Sequence, residues 1–535
     1  MNPLDWIILA VYLGGILWLG TRFAKYVSTG QDFLLAGRTL SWWAIGMGIV
    51  VADIGAYDLM GLSAGAYTYG ISQANFDWIG CVPAMVAAAF VFIPYYHRAG
   101  IYTVPEYLGL RFHPLVRSMV SLLWVLFAAC TLGIFFHATA VFLNTCFQLP
   151  QVLGVSPETT YWGSILVTIL VVAVYTVAGG LAAITMNDVV HLVVMFVGGV
   201  TVLVLGLALV GGPAGMAEKI HAQGEACRYH LRLLVPTDAG PGHAFPWPAT
   251  LLGLALVLSP AYWIGNQAIV QKCLGAKDLW NARGGMLWAA LLKTAIPIMG
   301  VIPGLIALAA FPGLEDSNQA YPLLIRDLLP VGAKGLVVAA FFAALLSSVE
   351  AYASSGTTLF LKDLAEPAWR KFKGASPSEK SMVLWGRILT VLFLLAGLLY
   401  ATQARRFKTI YDNMQTLFSL FQGPTLALLL AGMFTKRATR AAGIWGLAVG
   451  VTFAGILTWA RKDFPLLERL FTYGLEDPYL YVAWWSFAAA ALAILLASLF
   501  TEKPDPESLR GLVYGLLPKE EKTQELLRSR LEGDE

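Results

Sequence analysis

About thirteen apolar runs, each long enough to cross a hydrocarbon core ~30 Å thick, follow one another along this 535-residue chain. They cover 4–24, 43–70, 74–96, 118–147, 159–178, 184–211, 247–270, 284–310, 334–361, 382–402, 409–434, 440–460 and 479–500. In lipid every backbone N–H and C=O must find its partner within the protein, so runs of this kind fold as α-helices. Only 13% of the residues are charged, against about 25% in a soluble domain, and 58% are hydrophobic. The sequence predicts an all-α polytopic membrane protein embedded in a lipid bilayer. The first run is too long for a signal peptide and lacks a small-residue cleavage site, so residues 1–28 are expected to keep an extra N-terminal helix.

Orientation follows from the basic residues. With the N-terminus outside, the loops 22–42, 97–117, 179–183, 271–283, 362–387 and 435–440 and the tail from 501 fall in the cytoplasm. They carry 24 of the 36 Lys and Arg, the opposite loops and their edges carry 11, and the remaining one, Lys293, lies well inside a run. The excess predicts N-terminus out and C-terminus in, across a plasma (inner) membrane. Arg405, Arg406 and Lys408 run against it.

The five cysteines show no paired spacing, and His113, His137 and His191 are scattered without ligand spacing. No metal-hydrolase, nucleophile-elbow or phosphate-loop motif occurs. The chain is therefore not expected to be an enzyme, to carry an organic cofactor or to bind nucleic acid.

Two runs read as discontinuous helices. In 43–70 the apolar pattern is broken by Asp53, Gly55 and Asp58; in 247–270 it is broken by Ser259-Pro260 and Gly265-Asn266-Gln267. Each opens a block of five runs, 43–211 and 247–434, separated by the polar loop 212–246. Breaks at matching places of two halves point to an inverted-repeat transporter with its site at the midplane. Ordinary proline or glycine kinks are the plainer alternative. Two further helices in 440–500 and a charged tail, 501–535, complete the organisation. The tail is too short for a kinase or other output domain.

Ser347 and Ser348 sit adjacent inside a long apolar run. Such hydroxyls bond back to the preceding turn or bridge helices. Opposite an unwound helix, the same oxygens suit a small hard cation such as Na+.

Several motifs then resemble the sodium:solute symporter family. These are Asp32-Phe-Leu-Leu-Ala-Gly-Arg38 before Trp42-Trp43, Tyr102-Thr-Val-Pro-Glu-Tyr-Leu108, Tyr175-Thr-Val-Ala-Gly-Gly-Leu181 with Asn187-Asp188, and Tyr411-Asp-Asn-Met-Gln415 before Gly423-Pro424. Gln267 to Lys277 and Ala320-Tyr-Pro322 look most like the sodium/glucose branch. The likeness runs from about residue 32 to 450. It implies a leucine-transporter-type five-plus-five inverted repeat, about thirteen transmembrane helices, and alternating access.

By that resemblance Na+ is held by the carbonyls of Val51, Ile54 and Ala344 and the hydroxyls of Ser347 and Ser348. Asp188 matches an acid beside which some relatives hold a second sodium. Here Glu350 and Ala351 stand where hydroxyls are expected, so Asp53, Asp188 and Glu350 are candidates for a second cation or a proton. An intramembrane Glu350 is otherwise costly. It reads alternatively as a snorkelling acid near the cytoplasmic end.

For the solute, the sugar branch implies Asp77 (before Trp78), Tyr262, Trp263, Lys293 and Gln415. Carboxylate, ammonium and amide groups suit hydroxyls, and an aromatic ring suits the apolar face of a sugar. Lys293 reads alternatively as half of a structural ion pair, and Tyr262 and Trp263 as packing. Asp53 resembles the sodium/proline branch instead, and Asp58 replaces a His or Gln that touches sugar. The expected function is Na+-coupled uptake of a small polar solute, a sugar or polyol. An amino acid or amine is the alternative solute, and a channel or transport-inactive solute sensor a further alternative.

Overall fold

The computed structural model describes residues 2–23, 30–374, 376–405 and 409–516. The charged end of the tail, 517–535, lies outside the described residues, as do Arg406, Lys408 and the side chains of Asp32 and residues 174–180. Among the described residues the chain is helical throughout, with only isolated bridges at Leu40–Ala276 and Val235–Pro246. Ten helices are long and apolar enough to span a bilayer, eleven when the bent pair Trp42–Asp53 and Asp58–Ala74 counts as one. Two shorter apolar helices, Pro3–Ile16 and Pro157–Ala173, stand at the first and fifth predicted runs. Full-length spans among the described residues are thus fewer than the runs.

The first helix, α1 (Pro3–Phe23), packs on the bundle, and Asp5 accepts the N–H groups of Gly332 and Gly335 at 2.7 and 2.9 Å. The first discontinuous run is α2 (Trp42–Asp53) followed by α3 (Ala56–Tyr69). Between them Ile54 takes φ −95° and ψ 85°, Gly55 takes φ −79° and ψ 176°, and the axis bends by 54°. Gly55 donates its N–H to Asp58 Oδ2 at 2.8 Å, so the acid at the third position caps α3.

Helix α4 (Pro157–Val210) runs through 179–183, where a loop is expected. No proline stands there, and the pair Gly179-Gly180 weakens a helix without ending it.

The second break is narrower than expected. Asn266 alone (φ −73°, ψ 115°) separates α5 (Ser259–Gly265) from α6 (Gln267–Leu274), and its side chain accepts the Ala268 N–H at 3.0 Å. Ser259-Pro260 does not interrupt the helix. The wide π-type turns of Thr250–Leu258 run straight into α5 and absorb the N–H that Pro260 lacks.

A third interruption is new. Helices α7 (Leu279–Lys293) and α8 (Ile296–Ala310), expected as one run, part at Thr294-Ala295. Pro297 has no N–H for the Lys293 carbonyl, which loosens the chain there. The Trp78 indole N–H donates to the freed Thr294 carbonyl at 3.0 Å.

Small residues bring the interrupted helices close. A Cβ on Gly46 of α2 would lie 2.7 Å from the Gly285 carbonyl oxygen of α7, a contact only glycine permits. The bundle is inverted relative to a soluble protein. Val11, Leu170 and Leu399 are well exposed, whereas Asp53, Asp58, Asp77, Asp188, Lys272, Lys293 and Glu350 are at most 8% exposed. Asp53, Asp58, Asp77 and Lys293 line a cavity together with residues of α10 (Ile410–Phe434), whereas Asp188, Lys272 and Glu350 lie on α4, α6 and α9 (Ala333–Leu359).

Candidate functional site

The unwound turn of the first broken helix meets the serine pair of α9. Ser348 donates its hydroxyl to the Val51 carbonyl at 3.4 Å and the Ala52 carbonyl at 3.2 Å. The helix ends at Asp53, so carbonyls here are released from the regular ladder. Ile54 lies in the break itself, and Ala344 is buried one turn before the serines. The structure brings Ser348 and Val51 together and adds Ala52, which the sequence does not single out.

The two hydroxyls part company. Ser347 donates to Asp188 Oδ1 on α4, whose other oxygen takes the Lys272 ammonium from α6. Lys272 also donates to the Gly48 carbonyl at 2.7 Å. A Cβ on Gly48 would lie 3.1 Å from Asp188 Oδ2 and 3.2 Å from Lys272 Nζ, so glycine is what lets the pair sit against α2. The sequence places Lys272 in a cytoplasmic loop; it is in fact fully buried. Its position in α6, at the end of a broken helix, explains the difference. Glu350, one turn beyond Ser347, is 1% exposed, and its Oε2 has no hydrogen-bond partner among the described residues. It does not snorkel.

Between the two breaks lies a partly open cavity, with about 500 Å³ of empty space that includes open solvent. Asp53, Asp58, Asp77, Lys293, Gln415 and Gln422 supply its polar wall. Lys293 bridges two of the acids, contacting Asp53 and lying 2.8 Å from Asp77. Both acids are among the sequence-predicted site residues. Three carboxylates against one ammonium leave the lining formally at −2. Asp58 is in the wall while also capping α3.

Aromatic rings close the cavity. Tyr262 and Trp263 line it, and the Tyr262 and Tyr352 hydroxyls are 3.3 Å apart. Tyr262 meets Phe418 edge-on at 5.1 Å. On another wall Phe76 packs against Tyr411 (4.9 Å) and against Phe245 of the 212–246 loop (5.3 Å). That loop docks by backbone contacts, with the Ile71 N–H donating to the His230 carbonyl at 2.7 Å. It packs beside the cavity wall through Phe245.

Of the fourteen sequence-predicted site residues, seven line the cavity, Val51 and Ser348 meet at the break, Ser347 and Asp188 meet at the node, and Ile54, Ala344 and Glu350 lie buried near these along the chain. Two buried polar residues were missed. Lys272 carried the signal of a basic residue within an otherwise apolar motif, and Gln422 that of an amide seven residues beyond Gln415 in a spanning helix.

Comparison with known proteins identifies the family and the fold. The sodium:solute symporter family model matches residues 33–450. The sodium/glucose cotransporter of Vibrio parahaemolyticus is 27% identical over 525 residues, covering 95% of this chain and 92% of that protein. The sodium/myo-inositol cotransporter 2 of Oryctolagus cuniculus is 29% identical over 560 residues, covering 96% and 79%. Among solved structures, a Na+-coupled sialic acid symporter in a substrate-bound outward-open state superposes with a TM-score of 0.77 at 20% identity, over 94% of this chain and 99% of that one. That likeness establishes the leucine-transporter-type fold. Because the family match spans both helix breaks, the serine pair and the cavity between them, the chain belongs to the sodium:solute symporter family, a family of sodium-coupled solute transporters rather than enzymes.

Proposed function

We propose that this protein uses the Na+ gradient to drive uptake of a small polar solute, a sugar or polyol, by alternating access. The observation that carries the reading is the cavity between the two broken helices, whose acid Asp53 belongs to the same unwound turn that Ser348 touches. Na+ at Val51, Ile54, Ala344, Ser347 and Ser348 would neutralise part of the −2 lining and order the turn. Its charge next to Asp53 would weaken that acid's hold on Lys293, leaving the ammonium to Asp77 and to solute hydroxyls. Each ligand would then favour the same arrangement, and the gain in affinity is reciprocal.

The relatives named as sodium/glucose and sodium/myo-inositol cotransporters support the solute class. We place the protein in the plasma membrane with its N-terminus outside, on the bias of basic loops. Asp188 and Glu350 are the place for a second cation or proton, but Lys272 already supplies one positive charge there. An amine or amino acid is the second reading, favoured by three carboxylates facing one ammonium.

Proteoliposomes loaded without sodium test the proposal. An inward Na+ gradient should drive saturable accumulation of labelled D-glucose or myo-inositol above equilibrium, and a K+ gradient should not. Uptake that is linear in solute concentration, or equal with K+, would point to a channel instead.

A further inference from the structure

We propose that Gln422 is a direct solute contact, and that Gln415 and Gln422 grip opposite ends of one six-membered polyhydroxylated ring, a sugar or a cyclitol. The ring assignment rests on the solute class proposed above. Gln422 is 1% exposed and lines the cavity, yet neither its Oε1 nor its Nε2 has a hydrogen-bond partner among the described residues. A buried amide left wholly unpaired is unfavourable, so the working protein must offer this side chain a partner. The cavity that Gln422 lines is a place from which a partner can come and go.

The chemistry of the amide narrows the partner. A primary amide is both donor and acceptor, and so is a hydroxyl. An ammonium would use only Oε1 and a carboxylate only Nε2, each leaving the other half buried and unpaired. A ring bearing neighbouring hydroxyls satisfies both atoms at once.

Spacing narrows it further. Gln415, Phe418 and Gln422 all line the cavity from α10, at positions i, i+3 and i+7 of one helix face. The two amides start about 10 Å apart along the axis, which leaves room for a single ring with a hydrogen bond of ~2.8 Å at each end. Phe418 between them offers an apolar surface to the ring. The charged groups Asp53, Asp77 and Lys293 come from other helices and meet the ring from a different side.

The test is equilibrium binding to the full-length protein in nanodiscs, in NaCl and in KCl. Probes are D-glucose, its singly deoxygenated analogues, myo-inositol, L-proline and choline, with wild type, Gln422→Leu and Gln422→Asn. Thermal stabilisation by Na+ alone reports folding and should match wild type in both variants. We expect Gln422→Leu to bind the polyol at least ~10-fold more weakly, the scale of one lost hydrogen-bonded contact. One deoxy analogue should lose affinity in wild type and lose little more in Gln422→Leu. Equal polyol affinity in wild type and Gln422→Leu overturns the contact while leaving the transport reading intact. A wild-type response to choline or L-proline and to no polyol overturns the ring assignment together with the proposed solute class.

Discussion

The ammonium of Lys293 contacts the carboxylate of Asp53, joining the loosened end of α7 to the unwound turn of the first broken helix. The same ammonium reaches Asp77 at 2.8 Å, so one cation stands between the turn that meets Ser348 and the wall of the solute cavity. An ion pair in that position is shared between two sites. Whatever charge arrives next to Asp53 changes what Lys293 does next to Asp77.

Asp53→Asn should therefore separate the two ligands. Lys293 keeps Asp77, and folding is retained. The half-saturating Na+ concentration should rise about 10-fold or more, equivalent to ~1.4 kcal/mol. Sodium titrations of solute binding provide the readout, and an unchanged midpoint would show that Asp53 serves Lys293 alone. Lys293→Ala is harsher because it leaves two buried acids without their cation, a change of about 3–5 kcal/mol in stability.

Ser348→Ala removes long hydrogen bonds to Val51 and Ala52 and should lower stability by no more than about 1 kcal/mol. Sodium activation should suffer far more, with the midpoint shifted at least ~10-fold. Ser347→Ala should weaken sodium activation too and in addition lower stability, because its hydroxyl also serves Asp188. Measured side by side by thermal denaturation and Na+-dependent uptake, the two variants should diverge in stability; identical profiles would argue against separate roles.

Lys272→Met leaves Asp188 buried without its cation and the Gly48 carbonyl without its donor. A loss of about 3–5 kcal/mol is expected, partly restored in the double variant Lys272→Met/Asp188→Asn. Gly48→Ala should cost less but in the same direction, since its methyl would crowd both partners at 3.1–3.2 Å. Additive effects in the double variant would mean that the pair is not coupled.

The loop beside the cavity should respond to acid. Burial holds the His243 imidazole down to about 4, from an ordinary 6.5, although it hydrogen-bonds the Tyr69 carbonyl. His230 is lowered too, again by burial. Because the docked form resists protonation and the undocked form does not, docking is strongest above pH 6.5. It weakens as the pH falls from there toward about 4. Hydrogen-exchange protection factors across 222–246, which correct for the intrinsic pH dependence of amide exchange, should fall at pH 5 relative to pH 7.5 in wild type and lose much of that difference in His243→Asn. A wild-type loop indifferent to pH would contradict the buried, neutral imidazole.

Much of this protein was legible in its residues, and for a definite reason. In hydrocarbon the backbone must satisfy itself locally, so the length and purity of an apolar run decide that it is helical. A helix that breaks there needs a local cause, and Asp53, Gly55, Asp58 and Gly265-Asn266 announce one. The family motifs and the residues that gather at the breaks follow from such local signals.

Pairing of the buried charges does not. Lys272 could be read as a loop residue until α6 was seen to carry it against Asp188, 84 residues away in the chain. Lys293 divides itself between Asp53 and Asp77, and Ser347 and Ser348 turn to different partners, because of which helix faces meet. Thr294-Ala295 opens because Pro297 starves one carbonyl while Trp78 stands near enough to serve the next. Sequence alone established a helical membrane bundle and pointed to its two broken helices. The tertiary structure chose the partner of each buried ion, since in a low-dielectric interior that choice depends on distances between helices that no local pattern encodes.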